Sequence, residues 1–254
     1  MKIISYNVNG IRSALNKGLL DWLAAESPDV LCLQELKAME DQVDWAPFQR
    51  MGYHIYLNPA QKKGYSGVGI LSKQPADRVV CGMGIAHHDA EGRVIRADFG
   101  ALTLVSAYFP SGTSGEERQD VKYQFLSDMS DWSDRLKSER PHTVLVGDVN
   151  ICHREMDIHN PISNKNSTGF LPEERAWVDS FLRGGWVDSF RALNPELQQY
   201  SWWSFRANAR ANNKGWRIDY QFVTEALWPQ VKSAALLHGA KHSDHCPTLL
   251  ELSA

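Results

Sequence analysis

The sequence predicts an α/β protein with one domain over residues 1–254, in which strands buried on both faces are covered by helices on the outside. Three observations support this prediction. The length suits one sizeable α/β domain or two small ones, and no linker, short-period repeat or low-complexity tract divides the chain. Apolar runs of strand length recur along the chain. Helical patterns stand between some of these runs, as in α/β folds.

The predicted strands are rich in Val, Ile, Leu and Tyr and are bounded by Gly, Pro, Asn or Asp. In chain order they are KIISYNV, VLCLQE, YHIYLN, GVGILS, RVIRADF, LTLVSAYF, TVLVGDV, IDYQFVT and CPTLLEL. Several are apolar nearly throughout, which is typical of strands covered on both faces. Pro247 has no N–H to donate to a sheet, so it marks the start of the last strand and leaves Asp244 and His245 on the loop before it.

Helical spacing is clearest in three segments. GLLDWLAAES follows the first strand, and LPEERAWVDSFLRGG has Pro172 near its first turn and closes on two glycines. The longest segment, GEERQDVKYQFLSDMSDWSDRLKSE, repeats apolar residues every three or four positions, at Val121, Phe125, Met129, Trp132 and Leu136. We expect these helices to lie outside the sheets.

The composition is that of an ordinary soluble protein, with 43% hydrophobic and 22% charged residues. No stretch approaches the length of a membrane-spanning helix, and the first residues already alternate like a strand, which argues against a secretory signal. The four cysteines are far apart, so we expect reduced thiols and a cytoplasmic protein, associated with the nucleoid if bacterial. The net charge of −3 counts mildly against nucleic acid as a partner, although a local basic face would suffice.

Polar residues of a few chemical types stand where the predicted strands end or begin. A single one is usually a turn former, but a large set is harder to attribute to turns. The carboxylates among them are hard oxygen donors without a Cys/His cluster, which favours Mg²⁺ or Mn²⁺ over Zn²⁺. Neutral amides, a tyrosine and a carboxylate-held histidine suit phosphate oxygens. The set indicates metal-assisted phosphoester hydrolysis by an activated water, and it comprises Asn7, Asn9, Glu35, Tyr108, Asp148, Asn150, Asp219, Asp244 and His245.

The segment Ser201–Arg217 combines basic and aromatic residues and contains no acid. Basic groups can follow a phosphate backbone while aromatic rings pack against a sugar or an unstacked base. The alternative is a solvated loop capped by aromatic core residues. Elsewhere, His87 and His88 have no acid at metal-binding spacing and are expected in a surface loop. The glycine-rich GYSGVG lacks the residue order of a nucleotide P-loop.

Short motifs along the chain resemble, in their order, those of one protein family. They are ISYNVNGIR, PDVLCLQELK, GYSGVGILS, EGRVIRADF, SAYFPSG, GDVNICHREMDIHNP, GFLPEER, GWRIDYQFV and SDHCP. The set is similar to the exonuclease III type of apurinic/apyrimidinic (abasic-site) DNA endonuclease, in the endonuclease–exonuclease–phosphatase superfamily. The resemblance extends from about Met1 to Leu252. It implies a four-layer α/β sandwich, with two mixed β-sheets packed face to face and helices on the outside.

The resemblance implies that one group of residues binds the metal ion or lies beside it, and we call this group the metal side of the site. Glu35 matches the principal metal carboxylate, with Asn9 nearby in the metal and water shell. Asp244 matches an acid near the metal or the leaving group, and Asn7 an asparagine that supports the cluster. The implied cofactor is Mg²⁺, with Mn²⁺ as a substitute.

The resemblance also implies a hydrolytic side. Asp148 matches the aspartate that positions or deprotonates the attacking water, and Asn150 the asparagine beside it on the phosphate. Tyr108 matches the tyrosine that contacts the scissile phosphate. Asp219 matches the acid that orients the histidine, which is His245. We therefore expect Asp219, rather than the neighbouring Asp244, to be the partner of His245.

A third group is expected to face DNA. Some of its members match family positions on the DNA-facing side or around the pocket for a flipped abasic sugar, and others come from the basic and aromatic segment. A sugar without its base is cheap to extrude because little stacking is lost. The expected DNA-binding residues are Lys37, Tyr65, Arg93, Asn164, Phe205, Arg206, Arg210 and Trp216.

The sequence departs from the family pattern at three positions. Ser111 stands where many relatives have Asn, and Ser114 where a close relative type has an arginine across the lesion. Ala207 lies where that type inserts a bulky apolar wedge, a part that Arg206 could take over. These departures leave open how activity divides between abasic-site incision and 3′-end trimming.

The favoured hypothesis is a magnesium-dependent DNA-repair hydrolase that cuts 5′ to abasic sites, with 3′-phosphodiesterase, 3′-phosphatase and 3′→5′ exonuclease activity possible in addition. Its expected partner is double-stranded DNA with abasic sites or blocked 3′ ends. We expect the protein to act as a monomer and not to bind a membrane. The alternatives are a 3′-end processing enzyme with weak incision, a superfamily phosphatase acting on inositol phosphates or phospholipids, and a DNA-binding module without catalysis. The segment Ser201–Arg217 argues against the phosphatase, and the complete polar set argues against loss of catalysis.

Overall fold

Residues 1–253, which the computed structural model describes, form two mixed six-stranded sheets and the helices that cover them. The strands are β1 Lys2–Asn7, β2 Val30–Gln34, β3 His54–Asn58, β4 Val68–Ser72, β5 Arg78–Cys81, β6 Val94–Phe99, β7 Leu102–Tyr108, β8 His142–Asp148, β9 Trp186–Asp188, β10 Asp219–Thr224, β11 Val231–Leu236 and β12 Thr248–Leu252. The α-helices are α1 Ile11–Asn16, α2 Leu19–Glu26, α3 Ala46–Arg50, α4 Ala86–Asp89, α5 Glu116–Glu139, α6 Pro161–Asn164, α7 Pro172–Arg183 and α8 Ser189–Leu193.

Each sheet has one parallel pair at its centre and antiparallel pairs around it. The first sheet has the order β11-β12-β1-β2-β4-β3, and the second β5-β6-β7-β8-β10-β9. The strands β1 and β2 run parallel in the first sheet, as do β7 and β8 in the second. The carboxyl ends of each parallel pair therefore lie at one edge of their sheet.

Alternation of side chains along the strands explains how the sheets stack. In β1, Ile3 belongs to the apolar cluster between the sheets, whereas Ile4 belongs to the cluster under α1 and α2. In β8, Val144 and Val146 point between the sheets, and Leu145 packs under α5 and α7. Because neighbouring residues on a strand face opposite ways, a strand that is apolar at every position can fill two layers of core.

The helices close the two outer faces. Leu19 and Leu23 of α2 pack on the first sheet. Phe125 and Met129 of α5, together with Phe181 of α7, pack on the second. The result is helices, sheet, sheet and helices, so the predicted four-layer α/β sandwich is confirmed. No helix in residues 1–253 has both the length and the apolar character needed to cross a membrane.

The strands that the sequence did not predict are β5, β9 and β11, and all three lie at sheet edges. An edge strand is paired on one side only and tolerates polar or exposed residues, so it lacks a continuous apolar run. The prediction of a surface loop around His87 and His88 was wrong, because both residues lie in the short helix α4. His88 is buried and contacts Asp128 of α5. The sequence gave no indication of this contact, because Asp128 is 40 residues away from His88.

Strand direction brings the predicted polar residues to one edge of both sheets. The strand β10 runs antiparallel to β8 with Asp219 opposite Asp148. The strand β12 runs antiparallel to β1, so the loop before it also lies at the end of β1. The close approach of β7 and β8 at this edge requires Gly147, because a Cβ there would lie 1.8 Å from the Ala107 carbonyl oxygen.

Candidate active site

An asparagine from the first sheet joins acids from both sheets. Asn7 Nδ2 donates to Glu35 Oε1 at 3.0 Å and to Asp148 Oδ2 at 2.9 Å. Asn7 is fully buried at the end of β1, Glu35 follows β2, and Asp148 ends β8. The two N–H groups of one neutral amide thus hold two carboxylates close together without adding a charge.

A histidine and an aspartate lie on the other side of Asp148. His245 Nδ1 lies 2.9 Å from Asp219 Oδ2, the pairing expected from the sequence, and His245 Nε2 lies 3.8 Å from Asp148 Oδ2. Ser201 Oγ donates to the same oxygen of Asp219 at 2.6 Å. Both members of the histidine–aspartate pair are buried. Asp219 therefore fixes the ring of His245 with Nε2 directed toward the site.

The loop after β1 carries a second polar cluster. Asn9 Nδ2 donates to Asp244 Oδ1 at 2.9 Å, and Lys37 Nζ donates to Asn9 Oδ1 at 2.6 Å. Lys37 Nζ also lies 2.6 Å from Glu35 Oε2. Trp202 Nε1 donates to the other oxygen of Asp244 at 2.9 Å. Asp244 is thus fixed by neutral donors, and Lys37 bridges the predicted metal residues Glu35 and Asn9.

Several of these residues have a left-handed backbone, which is uncommon outside glycine. The φ angles are 45° at Asn9, 51° at Glu35, 50° at Lys37 and 56° at Asn150. Such a conformation costs on the order of 1 kcal/mol or more for a residue with a Cβ, and it persists only where the surroundings impose it. The strand ends are therefore bent into conformations that turn the side chains toward one point.

Tyr108 and Asn150 are held from behind by buried cations. Arg93 donates to the Tyr108 carbonyl oxygen at 3.0 Å, and Lys122 Nζ donates to the Asn150 carbonyl oxygen at 2.8 Å. Both cations are buried. The Asn150 side chain donates to the Phe109 carbonyl oxygen at 3.0 Å. Tyr108 at the end of β7 and Asn150 just after β8 are therefore fixed relative to each other.

Burial and charge shift the acid–base properties of the site. Burial raises the pKa of Asp148 to about 8, with His245 acting in the opposite direction. Burial alone would lower the pKa of His245, but Asp219 and the other acids outweigh it and raise that pKa to about 10. Burial and the nearby Glu35 carboxylate raise the pKa of Tyr108 well above its usual value. At neutral pH, His245 and Tyr108 thus keep their protons, while Asp148 has a pKa of about 8.

A candidate metal centre lies where these groups meet. One donor atom from each of Glu35, Asp148 and His245 lies within 4.8 Å of the other two. Two carboxylates with neutral amides around them form a hard oxygen environment of the kind that Mg²⁺ prefers. Asp244, which the sequence assigned to the metal side, is connected to Glu35 through Asn9 and Lys37.

The polar groups open into a cleft of about 520 Å³. We call it the active-site cleft. Its polar lining includes Glu35, Asp148 and His245, and Trp202, Trp216 and Ile218 form an apolar part of the same lining. The rings of Trp202 and Trp216 meet edge to face, with centroids 6.0 Å apart. One cleft therefore offers hydrolytic groups and a flat apolar surface together.

The remaining residues expected to bind DNA lie in three settings. Tyr65 and Arg93 are joined by a hydrogen bond of 2.8 Å beside Tyr108. Asn164 in α6 gives its amide protons to backbone carbonyl oxygens of the preceding residues. Phe205 and Arg206 are exposed at the surface, and the Phe205 side chain is 71% exposed.

Arg210, also expected to bind DNA, makes several contacts within the protein. Its guanidinium donates to the carbonyl oxygens of Ser243, His238 and Ala240, at 3.1, 3.2 and 2.6 Å. It also lies over the ring of Trp203, 4.7 Å from the centroid. Three of its hydrogen-bond donors hold the loop before β12, so the geometry gives it a part in positioning that loop, and its contact with DNA stays a prediction.

Sequence reasoning missed three residues that shape the site. Trp202 lines the cleft and holds Asp244, Ser201 holds Asp219, and Lys122 holds Asn150. Trp202 lies in the basic and aromatic segment, where its spacing did not distinguish it from the core residue Trp203. Lys122 is a buried cation on a helix face, and only its contact with Glu174 and Asn150 in the fold separates it from a surface lysine.

Comparison with known proteins agrees with this geometry. A model of the Endonuclease/Exonuclease/phosphatase family matches residues 4–245. The exodeoxyribonuclease of Bacillus subtilis is 43% identical over 252 residues, covering 98% of each chain, and the DNA repair nuclease APEX1 of Danio rerio is 40% identical over 256 residues, covering 100% of this chain and 82% of that protein. A 3′ phosphatase from Neisseria, bound to a product DNA hairpin, has a TM-score of 0.94 at 28% identity, with 100% of both chains covered. The chain therefore belongs to the endonuclease/exonuclease/phosphatase family, as a nuclease of the exonuclease III and apurinic/apyrimidinic endonuclease type.

Proposed function

We propose that this protein is a magnesium-dependent DNA-repair hydrolase that cuts the backbone 5′ to an abasic site, leaving a 3′-hydroxyl and a 5′-deoxyribose phosphate. The observation that carries the proposal is the lining of the active-site cleft. The buried acid–histidine group at its base suits phosphodiester hydrolysis. Trp202 and Trp216 in the same cleft suit an extruded sugar that has lost its base.

The residues at the candidate metal centre fit Mg²⁺. Glu35 would be its main ligand, with Asn9 beside it and Asp244 holding Asn9 in place. Mg²⁺ usually takes one or two protein carboxylates and completes its shell with water and substrate phosphate oxygens, and Mn²⁺ accepts the same donors. When bound, the ion supplies positive charge beside the phosphate and eases ionisation of water.

The protein's own side chains would accept the proton of the attacking water and donate hydrogen bonds to the phosphate. Asp148 has the raised pKa of a group that can accept a proton from water near neutral pH. His245 keeps its proton and can donate from Nε2 to a phosphate oxygen, while Asp219 holds its Nδ1. Tyr108 also keeps its proton and can donate to the phosphate. Charge that grows on the phosphate in the transition state thus meets donors that are already in place.

We assign DNA contacts to residues of the basic and aromatic segment and to residues beside Tyr108 and Glu35. Arg206 and Phe205 project from the basic and aromatic segment, and Tyr65 lies beside Tyr108. Lys37 is half-buried at the metal side and can reach a phosphate when it leaves Glu35. The relative solved with a product DNA hairpin supports DNA as the substrate. Phosphate contacts of this kind position a duplex without reading its sequence.

The deciding experiment uses a duplex with one tetrahydrofuran abasic analogue. We expect a nick on the 5′ side of the analogue with Mg²⁺, no nick with chelator, and little cleavage of an undamaged duplex. Cleavage of the damaged duplex that does not exceed the undamaged control would contradict the proposal. Turnover of an inositol phosphate without DNA cleavage would instead favour a phosphatase.

A second candidate is a 3′-end processing enzyme with weak incision. Two observations favour it. The Neisseria relative is a 3′ phosphatase, and the chain has the small residues Ser114 and Ala207 at positions where bulkier groups would engage an intact duplex at a lesion. Ala207 lies in an exposed turn with φ 53°. Parallel rates on a recessed 3′-phosphate and on the tetrahydrofuran duplex distinguish the candidates, because the second predicts a clear excess on the 3′ end.

A further inference from the structure

A second group of metal-binding side chains lies outside the active-site cleft, where α4 packs against α5. His87 and His88 are consecutive in α4, and Asp128 lies on α5. One donor atom from each of the three lies within 4.8 Å of the other two. The acid is 40 residues away from His88 in sequence, so only the fold brings the group together.

The group is partly fixed before any ion arrives. His88 is 2% exposed, and its Nε2 lies 2.9 Å from Asp128 Oδ2. The His88 ring meets Phe125 edge to face at 4.9 Å, and Gln124 donates to the same Asp128 oxygen at 3.0 Å. The ring of His87 lies 4.0 Å from that of His88 and is exposed to solvent. Two donors are therefore held in position, and the third faces the side from which an ion would enter.

We propose that His87, His88 and Asp128 bind a divalent transition-metal ion, for which zinc is the best match. Two imidazole nitrogens and one carboxylate oxygen are the donor types of three-residue zinc sites, in which water takes the fourth position. Donors around a tetrahedral zinc are about 3.3 Å apart, so small rotations of His87 and Asp128 would close the site. Mg²⁺ is a poor match because it prefers oxygen ligands throughout.

Binding depends on the protonation of both rings. Nε2 of the neutral His88 ring must lose its hydrogen to become a ligand, and that proton moves to Nδ1 of the same ring, so the imidazole stays neutral. The metal–nitrogen bond then replaces the hydrogen bond between His88 Nε2 and Asp128 Oδ2. Binding should therefore weaken as the pH falls, because a protonated imidazole has no lone pair for the ion.

The ion would also tie α4 to the active site. The backbone N–H of Glu91 donates to the His88 carbonyl oxygen, and the Glu91 carboxylate lies 2.5 Å from Arg93 Nε. Arg93 in turn holds the Tyr108 carbonyl oxygen. A metal that joins α4 to α5 would thus stabilise the segment that carries Arg93, without adding a group to the cleft.

The test is calorimetric titration of the full chain with zinc, with millimolar magnesium present to occupy the active-site cleft. We expect the wild type to bind one more zinc ion than His87→Ala and Asp128→Asn, or to bind it at least about tenfold more tightly. His54→Ala removes another exposed histidine, and Cys81→Ser removes the exposed thiol, and both should behave like the wild type. Titrations at about pH 7.5 and about pH 5.5 should show weaker zinc binding at the lower pH, where imidazoles are protonated.

His87 is exposed, and its removal leaves the contacts of His88 with Phe125 and Asp128 in place, so a folding defect would not obscure the result. Magnesium-dependent DNA cleavage should be unchanged in His87→Ala. Equal zinc affinity and stoichiometry in the wild type and both site variants would overturn the proposal, as would a wild type that binds no zinc. Zinc binding that survives Asp128→Asn alone would also overturn it, because the carboxylate would then not be a ligand.

Discussion

At the scale of single residues, the site depends on neutral side chains that hold charged ones. Asn7 joins Glu35 to Asp148, and Ser201 holds Asp219 behind His245. Carboxylates this close would repel each other, and each neutral donor reduces the cost by hydrogen bonding to the charged form. The acids can therefore stay close enough to act on one phosphate.

Removal of the histidine is expected to damage the chemistry more than substrate binding. His245→Ala should lower the rate of abasic-site cleavage by roughly 10²–10⁴-fold, because a donor to the developing charge is lost. Single-turnover kinetics with saturating enzyme measures this step. His54→Ala, on the exposed face of β3, is the matched control and should retain full activity. A loss of less than about threefold in His245→Ala would remove this residue from the chemistry.

The charge on Asp219 is expected to set the alkaline limit of activity. His245 has a pKa of about 10 because Asp219 and the other acids outweigh its burial, so the ring stays protonated until the pH rises through that value. In Asp219→Asn the opposing charge is gone and burial lowers the pKa, so the ring loses its proton at lower pH. The alkaline limb of the pH–rate profile should move down by at least about one pH unit. An unmoved limb, as expected for the surface control Asp21→Asn, would show that His245 does not act as a protonated donor.

Glu35 is expected to set the magnesium requirement. Glu35→Gln keeps the shape of the side chain and removes the charge, so the Mg²⁺ concentration for half-maximal cleavage should rise by at least about tenfold. The measurement is a magnesium titration of tetrahydrofuran-duplex cleavage. Glu40→Gln, an exposed acid five residues away, serves as control. Overlapping titrations for the two variants would reject Glu35 as the ligand.

At the scale of elements, the segment Ser201–Arg217 has two kinds of basic residue. Arg206 and Lys214 are exposed, whereas Arg210 holds the loop before β12 and Arg217 is fully buried against Asp157 and Asp188. The exposed pair gives the segment its basic surface. Arg210 and Arg217 fix the segment to the loop that carries His245 and to the residues around the start of β10. One stretch of sequence thus offers exposed basic residues, for which we propose DNA contacts, and basic residues that hold the site in place.

A matched pair of substitutions separates these tasks. Arg206→Ala should weaken binding to any duplex and flatten the plot of log affinity against log salt by about 0.9, the contribution of one phosphate contact. Arg210→Ala should leave that slope unchanged and lower the cleavage rate, because the loop with Asp244 and His245 loses three hydrogen bonds. Fluorescence anisotropy over a range of salt measures the first effect and single-turnover kinetics the second. A flattened slope in Arg210→Ala would show that this residue also contacts DNA.

At the scale of the whole molecule, a buried ion network joins the segments around the second sheet. Asp157 accepts from Arg217 at 2.7 and 3.0 Å and from Arg191 at 2.6 Å, and Arg217 also reaches Asp188 at 2.8 Å. Asp157 lies in a short 3₁₀ turn, Arg191 in α8, and Arg217 just before β10. Breaking one partner of such a network leaves an unpaired buried charge, which is strongly destabilising.

The network predicts a loss of stability in acid. Burial acts to raise the pKa of Asp157, but Arg217 and Arg191 outweigh it and lower that pKa to about 2, whereas an unfolded aspartate titrates near 3.9. The lowered pKa stabilises the folded state above about pH 4, and this contribution, about 2–3 kcal/mol, is lost as the pH falls toward 2. Urea unfolding at a series of pH values should show the decline. Asp157→Asn should lower the free energy of unfolding at pH 7 and reduce the decline, whereas the exposed Asp131→Asn should do neither.

The sequence by itself determined the central strands, the fold class and the residues that gather at the strand ends. Strands covered on both faces must be apolar at nearly every position, so runs such as TVLVGDV are visible without a structure. Edge strands such as β9 and β11 escape this rule because one side is free to be polar. The order of motifs was specific enough to indicate the family that the comparisons confirm.

Only the tertiary structure decided which polar groups touch. Asn7 and Asp148 are 141 residues apart, and their contact exists because two sheets stack with the same edges together. The packing of distant segments also directs Arg210 toward the Ala240 carbonyl oxygen and places Asp128 beside His88. Residues nearby in sequence did not indicate either contact. Local sequence records whether a side chain is apolar or charged. Its partner depends on how distant segments pack, since hydrogen bonds act only over about 3 Å.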